Sequence, residues 1–230
     1  MKKILSLFSF LPLILWMNGC SMIGELGIVM KIADSIGSSN ASMNKSVTTD
    51  KGKVISLTFK GVSGLDDGTK SMLKLSSAAR LFVQMAAPAS YAGYEKLNVR
   101  LEGPDSTRET TYRFSDLAKI KDYIALFQKC IDLAPDQKGL TPYCDPGFIP
   151  DSVLTDFCTF NKSEAEAYGK VVTQQMLGFE FVTFKDSTRH FPVFCGYYKL
   201  ERKRDCQSAS ISLRESDHKL IGYQITGCKQ

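Results

Sequence analysis

The period of hydrophobic and polar positions changes several times along the chain, and each change predicts an element. Residues 4–17 (ILSLFSFLPLILWM) carry no charge and follow Lys2 and Lys3. This run of 14 residues is shorter than the roughly 20 that a helix needs to cross about 30 Å of hydrocarbon, and Pro12 interrupts it. Two lysines before a short apolar run have the layout of a secretory signal, so the run addresses the chain and does not span. Over 22–36, Met22, Leu26, Val29, Ala33 and Ile36 fall at helical spacing with Lys31 and Asp34 off the stripe. This predicts a short amphipathic segment, lying on a membrane surface or packed on the body. Residues 38–52 (SSNASMNKSVTTDKG) are polar and lack an apolar period, which predicts a flexible tether reaching roughly 20 Å over about 15 residues.

The folded part is expected from residue 53 onward. Ile55, Leu57 and Phe59 alternate with Ser56, Thr58 and Lys60, the pattern of a half-buried strand. Met72, Leu75, Ala79, Phe82 and Ala86 form a helical stripe over 69–87, ended by Pro88. Alternation returns at Leu97, Val99 and Leu101 and again at Thr110, Tyr112 and Phe114, with Gly103-Pro104-Asp105 as the connecting loop of an antiparallel hairpin. A helix follows with Ser115 as N-cap and Leu117, Ile120, Ile124, Phe127 and Ile131 as its stripe. Prolines and Cys144 make 135–150 a loop, and Ser163-Glu-Ala-Glu166 fits a capping box opening a helix toward Gln175. The remainder reads as strands at 179–184, 191–199, 206–214 and 219–228, joined by the short connections of an antiparallel meander. The order of elements predicts an α+β fold, an antiparallel sheet packed with two to three amphipathic helices. The organisation is then 1–19 signal, 20–52 N-terminal segment and tether, and 53–230 one globular domain.

The last hairpin allows a register to be written down. Ala209, Ile211 and Leu213 line one face of its first strand, and Ile221, Tyr223 and Ile225 one face of its second. Both triplets are buried together when 213 opposes 221, 211 opposes 223 and 209 opposes 225, around a Ser216-Asp217-His218 loop. The same register sets Cys206 opposite Cys228, where opposed Cβ atoms come to about 4.5–5.5 Å, close enough for a bridge with small adjustment.

The signal run ends in Met17-Asn18-Gly19-Cys20. This resembles the lipobox of bacterial lipoproteins, with Gly19 and Cys20 at the small residue and the cysteine, while Met17 and Asn18 stand where the family usually has leucine and a small residue. The resemblance covers the first 20 or so residues. It implies that Cys20 is diacylated and becomes the first residue after cleavage, so that the membrane is reached through a lipid anchor. Ser21, where some members have aspartate, resembles the outer-membrane sorting choice, and the expected address is the bacterial envelope with the outer membrane preferred.

Cysteine usage agrees with that compartment. Of the seven cysteines, assigning Cys20 to lipid leaves Cys130, Cys144, Cys158, Cys195, Cys206 and Cys228. Six can close three disulfides in an oxidising compartment, with three connectivities left once Cys206 is paired with Cys228. No C-x-x-C pair or zinc-module spacing occurs among them, so no metal site is expected.

Without residues 1–19 the chain carries 27 basic and 24 acidic side chains, a net charge of +3. That balance does not argue for nucleic acid. Ser71-Met-Leu-Lys74 matches the S-x-x-K of acyl-transferring serine enzymes, but Ser42-Met-Asn-Lys45 matches as well, and no K-T-G follows. Ser71 and Lys74 therefore read as an exposed helix face, with a periplasmic hydrolase as the alternative. His190 and His218 are the only histidines and read as solvated loop residues. Asp66-Asp67 and Glu164/Glu166 suit helix starts, where free N–H groups welcome carboxylates. No catalytic residue and no cofactor is expected. Lys199, Arg202, Lys203 and Arg204 crowd a hairpin tip and suit an anionic surface. A non-catalytic module binding an envelope protein, glycan or lipid is the favoured reading, followed by the hydrolase and by an assembly accessory without a ligand.

Overall fold

The computed structural model describes residues 11–48 and 52–227, with side chains for 24–47 and 52–227. Its contacts divide the chain into two compact units, Met1–Ser71 with Ala78–Leu117, and Met72–Ser77 with Ala118–Gln230. The architecture is α+β, with two four-stranded sheets.

The first unit opens with α1 (Leu11–Ile36), then β1 (Asn40–Thr48), β2 (Gly52–Lys60), α2 (Gly68–Met85), α3 (Pro88–Tyr91), β3 (Lys96–Glu102) and β4 (Thr107–Arg113). The strands lie in the order β1-β2-β3-β4. The alternation of Ile55, Leu57 and Phe59 on β2, and of Leu97, Val99 and Leu101 on β3, is buried as expected. Each such side chain contributes about 1.5–3 kcal/mol on leaving water. β2 and β3 are parallel, Ile55 beside Leu97 and Leu57 beside Val99, and α2 and α3 lie in the crossover between them. Asp67 caps α2, its side chain accepting from the N–H groups of Thr69 and Lys70, and the first of the two expected carboxylate pairs thus sits at a helix start.

Residues 40–48, expected to belong to a polar tether, form β1, paired along its whole length with β2 from Asn40↔Lys60 to Thr48↔Gly52. The expectation rested on side chains, whereas an edge strand is held by its backbone ladder and by Ala41 alone in the core. α1 packs beside β1. Val29, Ile32, Ala33 and Ile36 are buried, Leu26 is exposed, and Glu25 receives an ion pair from Lys45 of β1 at 2.8 Å. The amphipathic segment thus packs on the body through Val29, Ala33 and Ile36 of the expected stripe, with Ile32 buried in place of Leu26.

The second unit holds most of α4 (Phe114–Leu133), a short α5 (Gln137–Leu140) with a 3-10 turn at Thr141–Tyr143, α6 (Asp151–Tyr168), and β5 (Val171–Lys185), β6 (His190–Arg202), β7 (Cys206–Arg214) and β8 (Leu220–Gly227). The four strands form the expected antiparallel meander, in the order β5-β6-β7-β8. β7 and β8 pair as predicted at Ala209↔Ile225 and Ile211↔Tyr223, but an irregularity shifts Leu213 onto Leu220. His218 sits in the turn with φ 58°. The buried face of α4 carries Leu117, Ile120 and Phe127 as expected, with Tyr123 and Cys130 in place of Ile124 and Ile131. Tyr123 stacks on Phe194 at 4.3 Å and Phe127 on Tyr198 at 3.6 Å, so aromatic pairs join the helix to the sheet.

α6 begins at Asp151, twelve residues before the predicted capping box, which lies inside the helix. Leu154, Phe157, Cys158 and Asn161 make its buried stripe. The chain leaves α6 through Gly169 with φ 89°, a conformation that favours glycine, and enters β5 at Val171. No described helix is long and apolar enough to cross a membrane.

Candidate functional site

The expected basic cluster at the β6–β7 tip is divided by its surroundings. Arg202 is 7% exposed. Its Nε donates to Gln207 Oε1 at 3.1 Å and its Nη1 to the Gly169 carbonyl at 2.9 Å. Gln207 in turn donates through Nε2 to Glu164 of α6. Arg202 is therefore the buried link between the strand tip and the end of α6, and is not available to a flat anionic surface. Lys199 pairs with Glu201 at 2.6 Å, and Lys203 and Arg204 remain exposed.

Beside this network lies a cavity of about 700 Å³ whose walls are the end of α4, α6, Lys170 and Arg202. Its charged lining is balanced, with Lys162, Lys170 and Arg202 against Asp132, Asp136 and Glu166. Asn161 adds an amide fixed by donation to the Phe157 carbonyl at 2.9 Å. A lining that carries both signs and a fixed amide suits a polar ligand bearing both signs. Of the charged lining residues only Arg202 and, as part of the expected capping box, Glu166 stood out in the sequence. The Ser163–Glu166 stretch of α6 reads in sequence as a helix start, whereas Leu154, Phe157, Cys158 and Asn161 at helical spacing are the signal that could have placed the helix from 151 onward.

Ser71 is only 4% exposed, and its hydroxyl donates to the Gly68 carbonyl at 2.9 Å. It is a helix-start hydroxyl turned onto its own backbone, which corrects the exposed-face reading. Neither Ser71 nor Lys74 lines this cavity or the two smaller ones found elsewhere. His190 is exposed at the start of β6, and His218 is exposed in the β7–β8 turn with its ring edge against Tyr123 at 5.4 Å. Among the described residues no three His, Cys, Asp or Glu side chains converge in a way that suits a metal ion.

The cysteines depart from the expected three bridges. Cys130, Cys144, Cys158 and Cys195 are free thiols, and no disulfide joins two described cysteines. Cys206 is disulfide-bonded, and Cys228 lies outside the described residues. An even count cannot reveal that the folded chain separates its cysteines unevenly. Cys130, Cys144 and Cys158 are buried in the second unit, while Cys195 sits on β6 with Ser212 Oγ 3.5 Å from its sulfur. Burial pushes the Cys130 thiol up to about 12 and the Cys144 thiol up to about 11, so both are poor nucleophiles. Cys20 lies within α1, and its side chain is outside the described ones.

No protein-family model matches the chain. No curated protein sequence matches it. A solved structure of Bdellovibrio bacteriovorus Bd1075 is similar at 13% identity and a TM-score of 0.35, over 62% of this chain and 52% of that one. The chain thus spans about half the length of that protein, and a likeness of this degree carries no argument about fold or activity.

Proposed function

We propose that this is a lipid-anchored lipoprotein of the bacterial envelope, held in the outer membrane by acyl chains on Cys20, and that its folded part is a non-catalytic binding module. The observation that carries the reading is the run of Lys2, Lys3, a 14-residue uncharged stretch and Gly19-Cys20. The cavity beside Arg202 supports a binding role over an accessory without a ligand, because it offers a confined, charged recess for a small polar group or a charged side chain of a partner. The buried Ser71 hydroxyl weighs against the hydrolase. A bridge from Cys206 to Cys228 completes the reading, supported by Cys206 being disulfide-bonded and by a β7–β8 register whose last described pair is Gln207↔Gly227. Metabolic labelling with radioactive palmitate tests the anchor. Label enters the wild type and not Cys20→Ser, whereas equal incorporation into both defeats the assignment.

A further inference from the structure

Four strand ends in the first unit form one row. Val47 of β1 pairs with Lys53 of β2, Val54 pairs with Lys96 of β3, and Lys96 pairs with Arg113 of β4. Among the described residues this end of the sheet presents Lys53, Lys96 and Arg113, with Glu95 beside Lys96. Lys45 holds Glu25, so that pair adds no net charge, and the Lys45 ammonium also lies 5.8 Å from the centre of the Tyr94 ring. Tyr91 stacks on Phe114 at 4.9 Å close by in sequence. Basic side chains mixed with tyrosines are the composition of a membrane–water interface.

The direction of α1 brings the proposed anchor to the same end. Ile36 is followed closely by Asn40 at the far end of β1, and Glu25 lies level with Lys45. Helix and strand therefore run antiparallel side by side. From Glu25 to Cys20 the helix climbs about 7 Å at 1.5 Å per residue, and from Lys45 to Val47 the strand climbs about 7 Å at roughly 3.4 Å per residue. Cys20 is thus level with the row of strand ends. Large apolar side chains are exposed toward this end, with Leu26 of α1 at 53% and Val47 of β1 at 69%.

We infer that this end of the first unit, with Leu26, Val47, Lys53, Lys96 and Arg113, lies directly against the bilayer that holds the acyl chains, its basic residues taking anionic phospholipid headgroups. The inference rests on the proposed anchor at Cys20. The unit is seated on the membrane by a rigid helix, with no flexible tether between lipid and fold.

The test uses the full chain, lipidated in a bacterial host and reconstituted into vesicles of phosphatidylglycerol and brominated phosphatidylcholine. The sequence has one tryptophan, Trp16, in the part removed with the signal, so introduced tryptophans report alone. Leu26→Trp and Val47→Trp replace exposed residues, and Thr107→Trp is the exposed control at the opposite end of the sheet. Unchanged thermal unfolding confirms that each variant is folded. The inference expects bromine to quench the first two and to spare Thr107→Trp, and Lys53→Glu with Arg113→Glu to weaken the quenching of Val47→Trp. No quenching at any position, or equal quenching at all three, with Cys20 acylated by intact mass, overturns the seating and leaves the anchor standing. Blue-shifted but unquenched emission at Leu26 and Val47 also overturns it, by showing that protein covers this end. Absence of acyl groups on Cys20 overturns the anchor itself and the inference with it.

Discussion

The two sheets hold four strands each but are assembled by different physics. In the second unit every strand of the meander pairs with its neighbour in sequence, the β7–β8 loop is short, and α4 lays aromatic rings on the strands through Tyr123–Phe194 and Phe127–Tyr198. In the first unit β2 and β3 are parallel partners separated by two helices, and the outer strand β1 offers the core little beyond Ala41. There the order depends on aliphatic layers and on α1, which comes from the most N-terminal part of the chain. Residues 25–48, including the polar stretch from 38 onward, are therefore structural in the first unit, whereas the second unit draws its order from local hairpins.

The largest effects should come from cutting the two kinds of core. Phe127→Ala removes a ring stacked at 3.6 Å and should destabilise by about 3–5 kcal/mol, read by chemical denaturation. Ile32→Ala should cost about 2–5 kcal/mol, because Ile32 is fully buried. No change at Ile32 would mean that α1 does not pack in the first unit, and the comparison between the units would collapse.

How far these two regions could be read from the chain differs for the same reason. The meander was legible because β7 buries Ala209, Ile211 and Leu213 in strict alternation, and only one pairing satisfies that pattern and a short loop together. Alternation at Ile55 and at Leu97 located two strands of the other sheet but not their being neighbours, since parallel pairing is decided by the crossover that packs between them. β1 was invisible because its ladder with β2 uses backbone groups that every residue carries. Lys199, Arg202, Lys203 and Arg204 looked equivalent in sequence, yet Arg202 alone is drawn inward, where Gly169 ends α6 with a free carbonyl and Gln207 points back along the next strand. The cavity lining was hidden likewise, because Lys162 and Glu166 become neighbours of Asp132 only when α4 and α6 meet.

A smaller effect separates the members of that basic cluster. Arg202→Ala removes two hydrogen bonds from a buried charge and should lower stability by about 2 kcal/mol, while Lys203→Ala, exposed, should leave it unchanged. Equal effects would return Arg202 to the surface. Lys199→Ala breaks one surface pair and should shift stability by less than about 1 kcal/mol.

A separate effect is a dependence on alkaline pH that comes from buried thiols of the second unit. The folded thiols of Cys130 and Cys144 are raised from the usual value near 9 to about 12 and about 11. Above pH 9 the unfolded chain releases protons that the folded chain keeps, so stability is complete below about 9 and falls as pH rises toward 12. Cys130→Ala should flatten that fall, measured as denaturation midpoints between pH 8 and about 11. An unchanged slope would indicate that Cys130 is not buried as a neutral thiol. Under denaturing conditions a thiol titration should also find Cys130, Cys144, Cys158 and Cys195 reactive and Cys206 protected.

The claim on which membrane attachment, the seating of the first unit and the structural role of α1 all converge is that the mature chain begins at an acylated Cys20. Intact-mass spectrometry of the protein extracted from membranes reads this directly, with fragmentation of its first residues. The account predicts a chain lacking residues 1–19, with a diacylglyceryl group on the sulfur of Cys20. A mature chain that begins elsewhere, or that retains an unmodified Cys20 thiol, would contradict it.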